Sequence, residues 1–222
     1  MNIFDIMGPI MVGPSSSHTA GAVRIGRLTR ALLGAQPVRA RILLHGSFSA
    51  TGKGHGTDRA LVAGLLGMTP DDPRLPQSLS LAKQAGMEVT FESAELPNAH
   101  PNTALLAVSD ASGRAMSVTA SSLGGGRVKV NAIDGLEVAF SGDLPTLIIR
   151  NEDRPGIVAE VSNLLSLRQV NIATMQLRRD NRGGLAVMVI ESDQHISSAL
   201  RRELEGQDGV VSVIYLDLKG ED

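Results

Sequence analysis

The last third of the chain most constrains its fold, because strand-like and helix-like apolar patterns follow one another there in a fixed order. We expect strands over residues 146–150, 171–178, 185–190 and 210–217, and helices over residues 157–168 and 196–204. The order strand–helix–strand–strand–helix–strand predicts a ferredoxin-like βαββαβ unit, with both helices on one face of an antiparallel sheet.

A segment rich in structure breakers precedes this unit. Residues 134–145 contain Asp134-Gly135 and Ser141-Gly142-Asp143 and end at Pro145, which is typical of a linker. The chain of 222 residues is long enough for two small domains. We therefore predict an α+β protein, with a mixed α/β substrate-binding-type domain over 1–142 and the ferredoxin-like domain over 143–222.

A run of hydroxyl side chains lies at the start of the first predicted helix, which covers residues 20–34 and ends at Gly34. The run is Gly13-Pro-Ser-Ser-Ser-His-Thr19. Gly-Pro favours a turn, and one Ser or Thr is enough to cap a helix. The additional hydroxyls and the positive end of the helix dipole suit a small anion such as a carboxylate. His18 can exchange a proton near neutral pH, although a Ser-rich cap with a solvent-facing histidine remains the simpler interpretation.

A second histidine lies in a glycine-rich segment, Gly46–Gly56, between a predicted strand over 41–45 and a predicted helix over 59–66. We interpret this segment as a loop that leads to caps at Thr57 and Asp58. Glycines in such a loop favour close approach of the backbone to a ligand or to another chain.

A phosphate-binding P-loop is excluded in this segment. The P-loop requires four residues between its first glycine and Gly-Lys, and then Ser or Thr. Five residues separate Gly46 from Gly52, and Gly54 follows Lys53.

Two further motifs lie among the remaining elements of the first domain, and we leave structural and functional interpretations open for both. His100-Pro-Asn-Thr103 precedes a strand, and Gly124–Gly126 contains more glycines than a hairpin requires. The surrounding pattern predicts a helix over 77–85 and strands over 87–92, 104–109, 114–121 and 127–133.

Composition excludes several classes of function. Cysteine is absent, so this chain can form no disulfide, thiolate nucleophile or Cys-ligated iron–sulfur cluster. A net charge of −2 gives no reason to expect nucleic acid or a membrane surface as a partner. No apolar run is long enough to cross a bilayer, and the N-terminus lacks a secretory signal pattern. We expect a cytoplasmic protein.

The C-terminal domain resembles an ACT domain, the small amino-acid-sensing module of metabolic enzymes. The resemblance depends on Leu147-Ile-Ile-Arg-Asn-Glu-Asp-Arg-Pro-Gly156 and on Val170-Asn-Ile172. It implies an effector site at Asn151, Pro155 and Gly156, with Asn171 alongside, often between domains of two chains. It is also compatible with a surface used only for self-association.

The chain as a whole resembles the beta chain of bacterial iron–sulfur L-serine dehydratases (L-serine ammonia-lyases). Five motifs occur in the family's order: Met7-Gly-Pro9, Gly13–Thr19, Lys53-Gly-His-Gly-Thr-Asp58, His100–Thr103 and Gly124–Gly126. With the ACT domain, the resemblance covers nearly the whole chain. The first domain is also similar to a substrate-binding domain of some phosphoglycerate dehydrogenases.

The resemblance implies that L-serine loses its β-hydroxyl and α-proton to give aminoacrylate, which becomes pyruvate and ammonia. A [4Fe–4S] cluster with one open iron accepts the hydroxyl as a Lewis acid, and pyridoxal phosphate is not used. The cluster cysteines lie in the family's alpha part. Because this chain has no cysteine, we expect the alpha part to be a separate subunit and this chain to hold no metal ligand.

The resemblance also implies roles for residues of the first domain. We expect His18 and His55 to be catalytic, by transferring protons or by orienting the substrate. We expect the substrate to be bound by Ser15, Ser16, Ser17, Thr19, Lys53, Asn102 and Gly125. Two alternatives remain open: a non-catalytic regulatory subunit that senses an amino acid, and a dehydratase for a related substrate such as threonine.

Overall fold

The computed structural model describes residues 10–218, except for the side chain of Lys53. The predicted motif Met7-Gly8-Pro9 lies outside the described residues. The chain forms two compact units that meet in sequence at Gly135 and Leu136. The predicted domain division at residues 142 and 143 stays a prediction.

The first unit is a mixed α/β structure. Its helical segments are a π-helical turn (Ser16–Gly21), α1 (Ala22–Leu33), α2 (Gly46–His55), α3 (Thr57–Leu65), a short 3₁₀ turn (Leu75–Gln77) and α4 (Ser78–Gln84). Its strands are β1 (Arg39–Leu44), β2 (Glu88–Ser93), β3 (Thr103–Ser109), β4 (Ala115–Gly124) and β5 (Arg127–Ile133). They lie in the order β2-β1-β3-β4-β5, with β1 and β2 parallel and the other neighbours antiparallel.

Helix α1 buries the aliphatic stripe that its sequence predicts. Val23, Ile25, Leu28 and Leu32 are fully buried. The helix ends at Gly34, as predicted, because that residue adopts a left-handed conformation with φ 79°.

Helices α1 and α3 approach each other closely at two glycines. A Cβ on Gly26 would lie 2.2 Å from the carbonyl oxygen of Leu61, and a Cβ on Gly64 would lie 2.0 Å from that of Val23. Both distances are far below van der Waals contact. The two glycines therefore set the spacing between the helices.

The interpretation of Gly46–Gly56 as a loop was wrong, because residues 46–55 form α2. Tertiary contacts outweigh the low helix propensity of glycine here. Phe48 is completely buried, and the backbone N–H of Ser47 donates to the carbonyl of Pro101 at 2.8 Å. Gly46, with φ 54°, allows this approach, since a Cβ there would lie 2.7 Å from the same carbonyl oxygen.

The predicted cap at Thr57 was also wrong, and Asp58 lies inside the helix rather than at its N-cap. Helix α3 begins at Thr57, directly after Gly56, which is left-handed with φ 71°. The N-cap residue Gly56 has no side chain to cap the helix, and Asp58, inside the first turn, accepts from the backbone N–H of Arg59 at 2.8 Å. Thr57 is instead buried, and its hydroxyl has no hydrogen-bond partner among the described residues.

The second unit has the predicted ferredoxin-like topology. Its elements after β6 (Leu136–Phe140) are β7 (Thr146–Glu152), α5 (Ile157–Leu167), β8 (Ile172–Arg179), β9 (Leu185–Ser192), α6 (Ser198–Glu205) and β10 (Val210–Leu216). Four strands form an antiparallel sheet in the order β10-β7-β9-β8. Aliphatic side chains of both helices and of the two central strands form one buried cluster.

The linker prediction for residues 134–145 was wrong in part. Residues 136–140 form strand β6, in which Val138 and Phe140 are buried. The breakers on either side, Asp134-Gly135 and Ser141-Gly142, bound the strand. Within residues 10–218, no helix is both long and apolar enough to cross a bilayer.

We expect Gly64→Ala to lower the free energy of unfolding by about 1–3 kcal/mol, because the added methyl group overpacks the contact between α1 and α3. Gly54→Ala is the matched control. Gly54 also lies in a helix, and a Cβ there meets nothing within 4 Å. It should leave stability unchanged or raise it by up to about 1 kcal/mol. Denaturant unfolding of both variants tests the contact, and equal stabilities would contradict it.

Candidate active site

The predicted hydroxyl run begins a helix, as expected, but the first turn is a π-helix. Ser15 is the N-cap, and its Oγ accepts from the backbone N–H of His18 at 3.2 Å. The turn Ser16–Gly21 continues directly into α1. Such wide turns occur frequently at functional sites.

Strand β4 and the glycine turn that follows it support this helix start. Ser122 Oγ donates to the carbonyl of Ser17 at 2.9 Å, and the backbone N–H of Gly125 donates to Ser16 Oγ at 3.3 Å. Gly21 permits the contact, since a Cβ there would lie 2.0 Å from Ser122 Oγ. The Gly124–Gly126 turn, in which every φ is positive, therefore lies against the hydroxyl run.

Helix α2 holds the ring of His18. Ring atom Nε2 lies 3.1 Å from Thr51 Oγ1 and 3.3 Å from Ser47 Oγ. Ring atom Nδ1 lies 3.4 Å from Ser15 Oγ. The ring also makes an edge contact with Phe48, with 5.3 Å between ring centroids. His18 is half-buried and fixed on both sides.

The structure brings the two predicted catalytic histidines together. The rings of His18 and His55 have centroids 5.1 Å apart and are tilted by 46°. His55 is the last residue of α2 and is exposed. The site therefore presents one anchored imidazole and one accessible imidazole.

Partial burial of its ring favours the neutral form of His18 at pH 7. Burial lowers the pKa of His18 below 6.5, a hydrogen bond with the backbone of Ser47 opposes this shift, and repulsion from His55 adds to it. Because the folded-state pKa lies below the unfolded value, the contribution of His18 to stability is fully present above pH 6.5. It is lost as the pH falls through the folded-state pKa.

A cavity of about 230 Å³ opens beside His55. Among the residues that line it are Gly13, Pro14, Thr19, His55 and Arg59. Thr19 is 1% exposed, and its Oγ1 has no hydrogen-bond partner among the described residues. Thr19, whose hydroxyl is buried and unpartnered, thus lines the cavity together with a guanidinium and an imidazole, a combination that suits a small polar ligand.

The remaining predicted substrate residues differ in what the structure shows. Ser16 and Ser17 are half-buried in the π-helical turn. Asn102 joins the site through its backbone, because its carbonyl accepts from the N–H of Ser122 at 2.9 Å. Lys53 lies in α2, and its side chain is outside the described part of the chain.

Sequence reasoning missed Ser47, Thr51 and Arg59. Ser47, Thr51 and His55 recur every four residues, which places them on one face of a helix. That signal was present in the sequence, but it carried no information while the segment was interpreted as a loop. Arg59 belongs to α3, whose position against the cavity follows from its packing on α1.

The predicted effector residues of the second unit lie in two places. Asn151 is fully buried at the end of β7, where its Nδ2 donates to the carbonyl of Glu152 at 2.7 Å. Its Oδ1 has no partner among residues 10–218. Pro155 and Gly156 form the turn before α5, where Gly156 has φ 96°.

Within one copy of the chain, Asn171 lies at the other end of the sheet from these residues, and its place in an effector site stays a prediction. Asn151 pairs with Ala186 and Ile172 pairs with Ser192, six residues further along β9. At about 3.4 Å per residue, Asn171 is roughly 20 Å away along the sheet. Its Nδ2 donates to Asp193 Oδ2 at 2.6 Å.

The side chains of this chain do not fit an iron–sulfur cluster. Cysteine is absent from the sequence. Within the described residues, no group of three or more His, Cys, Asp or Glu side chains is placed to hold a metal ion. The site consists of hydroxyls, imidazoles and a guanidinium.

Comparison with known proteins identifies two family models along the chain. Residues 2–84 match the model described as serine dehydratase beta chain, and residues 145–209 match that of the ACT domain. The first match contains the hydroxyl run and both histidines. The second covers strands β7, β8 and β9 and helices α5 and α6, and it ends just before β10.

Similar proteins extend the match to nearly the full length. The chain is 39% identical over 212 residues to a probable L-serine dehydratase, beta chain, of Bacillus subtilis, which covers 96% of each protein. It is 37% identical over 216 residues to the L-serine dehydratase, beta chain, of Peptoniphilus asaccharolyticus, which covers 97% of each. A D-3-phosphoglycerate dehydrogenase of Archaeoglobus fulgidus is 26% identical over 204 residues, 89% of this chain and 37% of that enzyme.

The proximity of the two histidines predicts a specific response to pH. In an NMR titration of the full chain, His18 should titrate below pH 6.5, and His55→Gln should raise the pKa of His18 by removing a neighbouring positive charge. His195→Gln, in the second unit, is the control and should leave the His18 titration unchanged. An identical His18 titration in His55→Gln and wild type would contradict the predicted coupling.

Proposed function

We propose, because this chain belongs to the L-serine dehydratase beta-chain family, that it is the beta subunit of a two-chain enzyme that converts L-serine to pyruvate and ammonia. The observation that carries the proposal is the pairing of His18 with His55 at the start of a hydroxyl-rich helix, beside a cavity with an unsatisfied hydroxyl. A histidine with only a structural role would require neither a second imidazole beside it nor an adjacent cavity.

The helix start provides the site for the substrate carboxylate in this proposal. Backbone N–H groups and the helix dipole favour an anion there. The buried Oγ1 of Thr19 supplies a donor that no other described group uses. Arg59 on the cavity wall supplies a positive charge suited to a carboxylate. Ser15, Ser16, Ser17, Lys53, Asn102 and Gly125 complete the proposed substrate set.

The histidines provide proton transfer in this proposal. Elimination of the β-hydroxyl requires removal of the weakly acidic α-proton, and a neutral imidazole can accept it near neutral pH. The lowered pKa of His18 keeps that ring in the accepting form. His55 is exposed and can exchange protons with solvent or with the substrate. The site supports either histidine as the base.

The cofactor and the partner belong to the same proposal. Because the side chains of this chain do not fit a [4Fe–4S] cluster, we assign the cluster to a separate alpha subunit and expect activity only in the two-chain complex. Pyridoxal phosphate has no role in the proposal. We expect the two-chain enzyme in the cytoplasm, as the sequence predicts.

One observation favours a second function in regulation. The buried Oδ1 of Asn151 is unpartnered beside the turn that precedes α5. The carboxylate of Glu160, bonded to Arg154 at 3.3 Å, lies beside the same turn. A regulatory subunit that senses an amino acid, and self-association through the ACT domain, are therefore kept as alternatives. Asn151, Pro155 and Gly156, with Asn171 of a second copy, are the proposed effector residues.

We expect His18→Gln and His55→Gln each to lower pyruvate formation by the reconstituted two-chain enzyme about 10²-fold or more, the range for loss of a general acid or base. The free energy of unfolding of the beta chain at pH 7.5 should change far less. His195→Gln is the control and should retain activity. Near-wild-type turnover in both site variants would remove the histidines from the mechanism.

The regulatory alternative predicts a different result when the chains are separated. We expect that the alpha chain alone, assayed anaerobically with its iron content measured, forms pyruvate from L-serine only after the beta chain is added. Full activity of the alpha chain alone would favour a regulatory role for this chain.

A further inference from the structure

The hydroxyl of Thr51 has one proton, and the structure shows where that proton goes. Thr51 Oγ1 lies 2.9 Å from the carbonyl oxygen of Ser47, one helical turn earlier. A carbonyl oxygen can only accept, so Thr51 donates its proton to Ser47. Any further hydrogen bond to Thr51 Oγ1 must therefore be one that the oxygen accepts.

The second partner of Thr51 is the ring of His18. Nε2 of His18 lies 3.1 Å from Thr51 Oγ1. Since the oxygen can only accept here, this shorter contact is a hydrogen bond only if Nε2 carries a hydrogen atom, and Ser47 Oγ, 3.3 Å from Nε2, can accept from the same N–H. A neutral imidazole has one N–H, so the other nitrogen, Nδ1, then holds a lone pair.

The contacts of Nδ1 agree with this assignment. Ser15 Oγ accepts from the backbone N–H of His18 at 3.2 Å and keeps its own proton available. That oxygen lies 3.4 Å from Nδ1, where its hydroxyl can donate to a lone pair.

We propose that Thr51 is a positioning residue that holds the proton of the neutral His18 ring on Nε2 and so leaves Nδ1, on the Ser15 side, as the nitrogen that accepts protons. The inference deepens the proposed function and rests on it for the meaning of the tautomer in catalysis. The Nε2–H group then donates to Thr51 of α2 whether the ring is neutral or charged, and proton exchange takes place at Nδ1. Ser15 becomes the hydroxyl in direct contact with the reactive nitrogen.

The tautomer is measurable in the beta chain by itself. The full-length chain, labelled with ¹⁵N in histidine, gives separate signals for protonated and unprotonated ring nitrogens, and the signals missing from His18→Gln identify His18. At a pH where the ring is neutral, we expect Nε2–H to predominate in wild type. A predominant Nδ1–H form would overturn the inference.

Two variants test the part played by Thr51. Thr51→Val keeps the shape of the side chain and removes the acceptor, so we expect the ratio of Nε2–H to Nδ1–H to fall about fivefold, the effect of one neutral hydrogen bond. The His18 pKa should also fall, because the charged ring loses an acceptor. Thr51→Ser should restore both values. An unchanged tautomer ratio in Thr51→Val would overturn the role of Thr51.

These results are independent of whether the proposed function is correct. If His18→Gln leaves turnover of the two-chain enzyme intact, the proposed function fails, yet the NMR signals still decide the tautomer. If His18→Gln abolishes turnover and wild type shows Nδ1–H, the proposed function stands and the inference about Thr51 fails.

Discussion

The candidate site depends on the anchoring of α2 against the segment that leads into β3. The N–H groups of Ser47 and Phe48 both donate to the carbonyl of Pro101, at 2.8 and 3.4 Å, and Phe48 is completely buried. These contacts stabilise a helix in a sequence whose glycines disfavour one. Without that helix, Thr51 and His55 have no fixed position relative to His18. The contact thus connects the packing of the first unit to the geometry of its site.

Two helix starts of different kinds meet at the site. The π-helical turn is capped by Ser15, while α2 is held at its start by the backbone of Pro101 and ends at His55. Glycine makes both arrangements possible, since a side chain on Gly21 or Gly46 would collide with its neighbour. Of the glycines of residues 46–56 that were interpreted as positions for close approach, Gly46 serves that purpose, but toward a segment of this chain; a Cβ on Gly54 or Gly56 would meet nothing within 4 Å.

Periodicity predicted the elements whose burial follows from their own sequence. The apolar patterns of the second unit distinguish its strands from its helices, and α1 has a clear aliphatic stripe with a glycine at its end. The positions of these elements could therefore be predicted from the sequence. The structure of residues 46–56 could not be predicted in this way, because its stability comes from Phe48 and Pro101, which are far apart in sequence. The histidines and hydroxyls of the site were predicted from the helix-start motif and the family resemblance. Thr51 and Arg59 were not, because their importance depends on how α2 and α3 pack.

The π-helical turn has a consequence for how the chain tolerates changes in length. A π-helix accommodates more residues per turn than an α-helix, and each residue of an α-helix advances about 100° around its axis. Loss of a single residue between Ser15 and Ala22 would allow ordinary α-helical winding and rotate His18 away from His55, while the aliphatic stripe of α1 stayed in place. Insertions and deletions between Ser15 and Ala22 are therefore constrained by the direction in which His18 leaves the helix axis. The packing of α1 in the core does not impose this constraint.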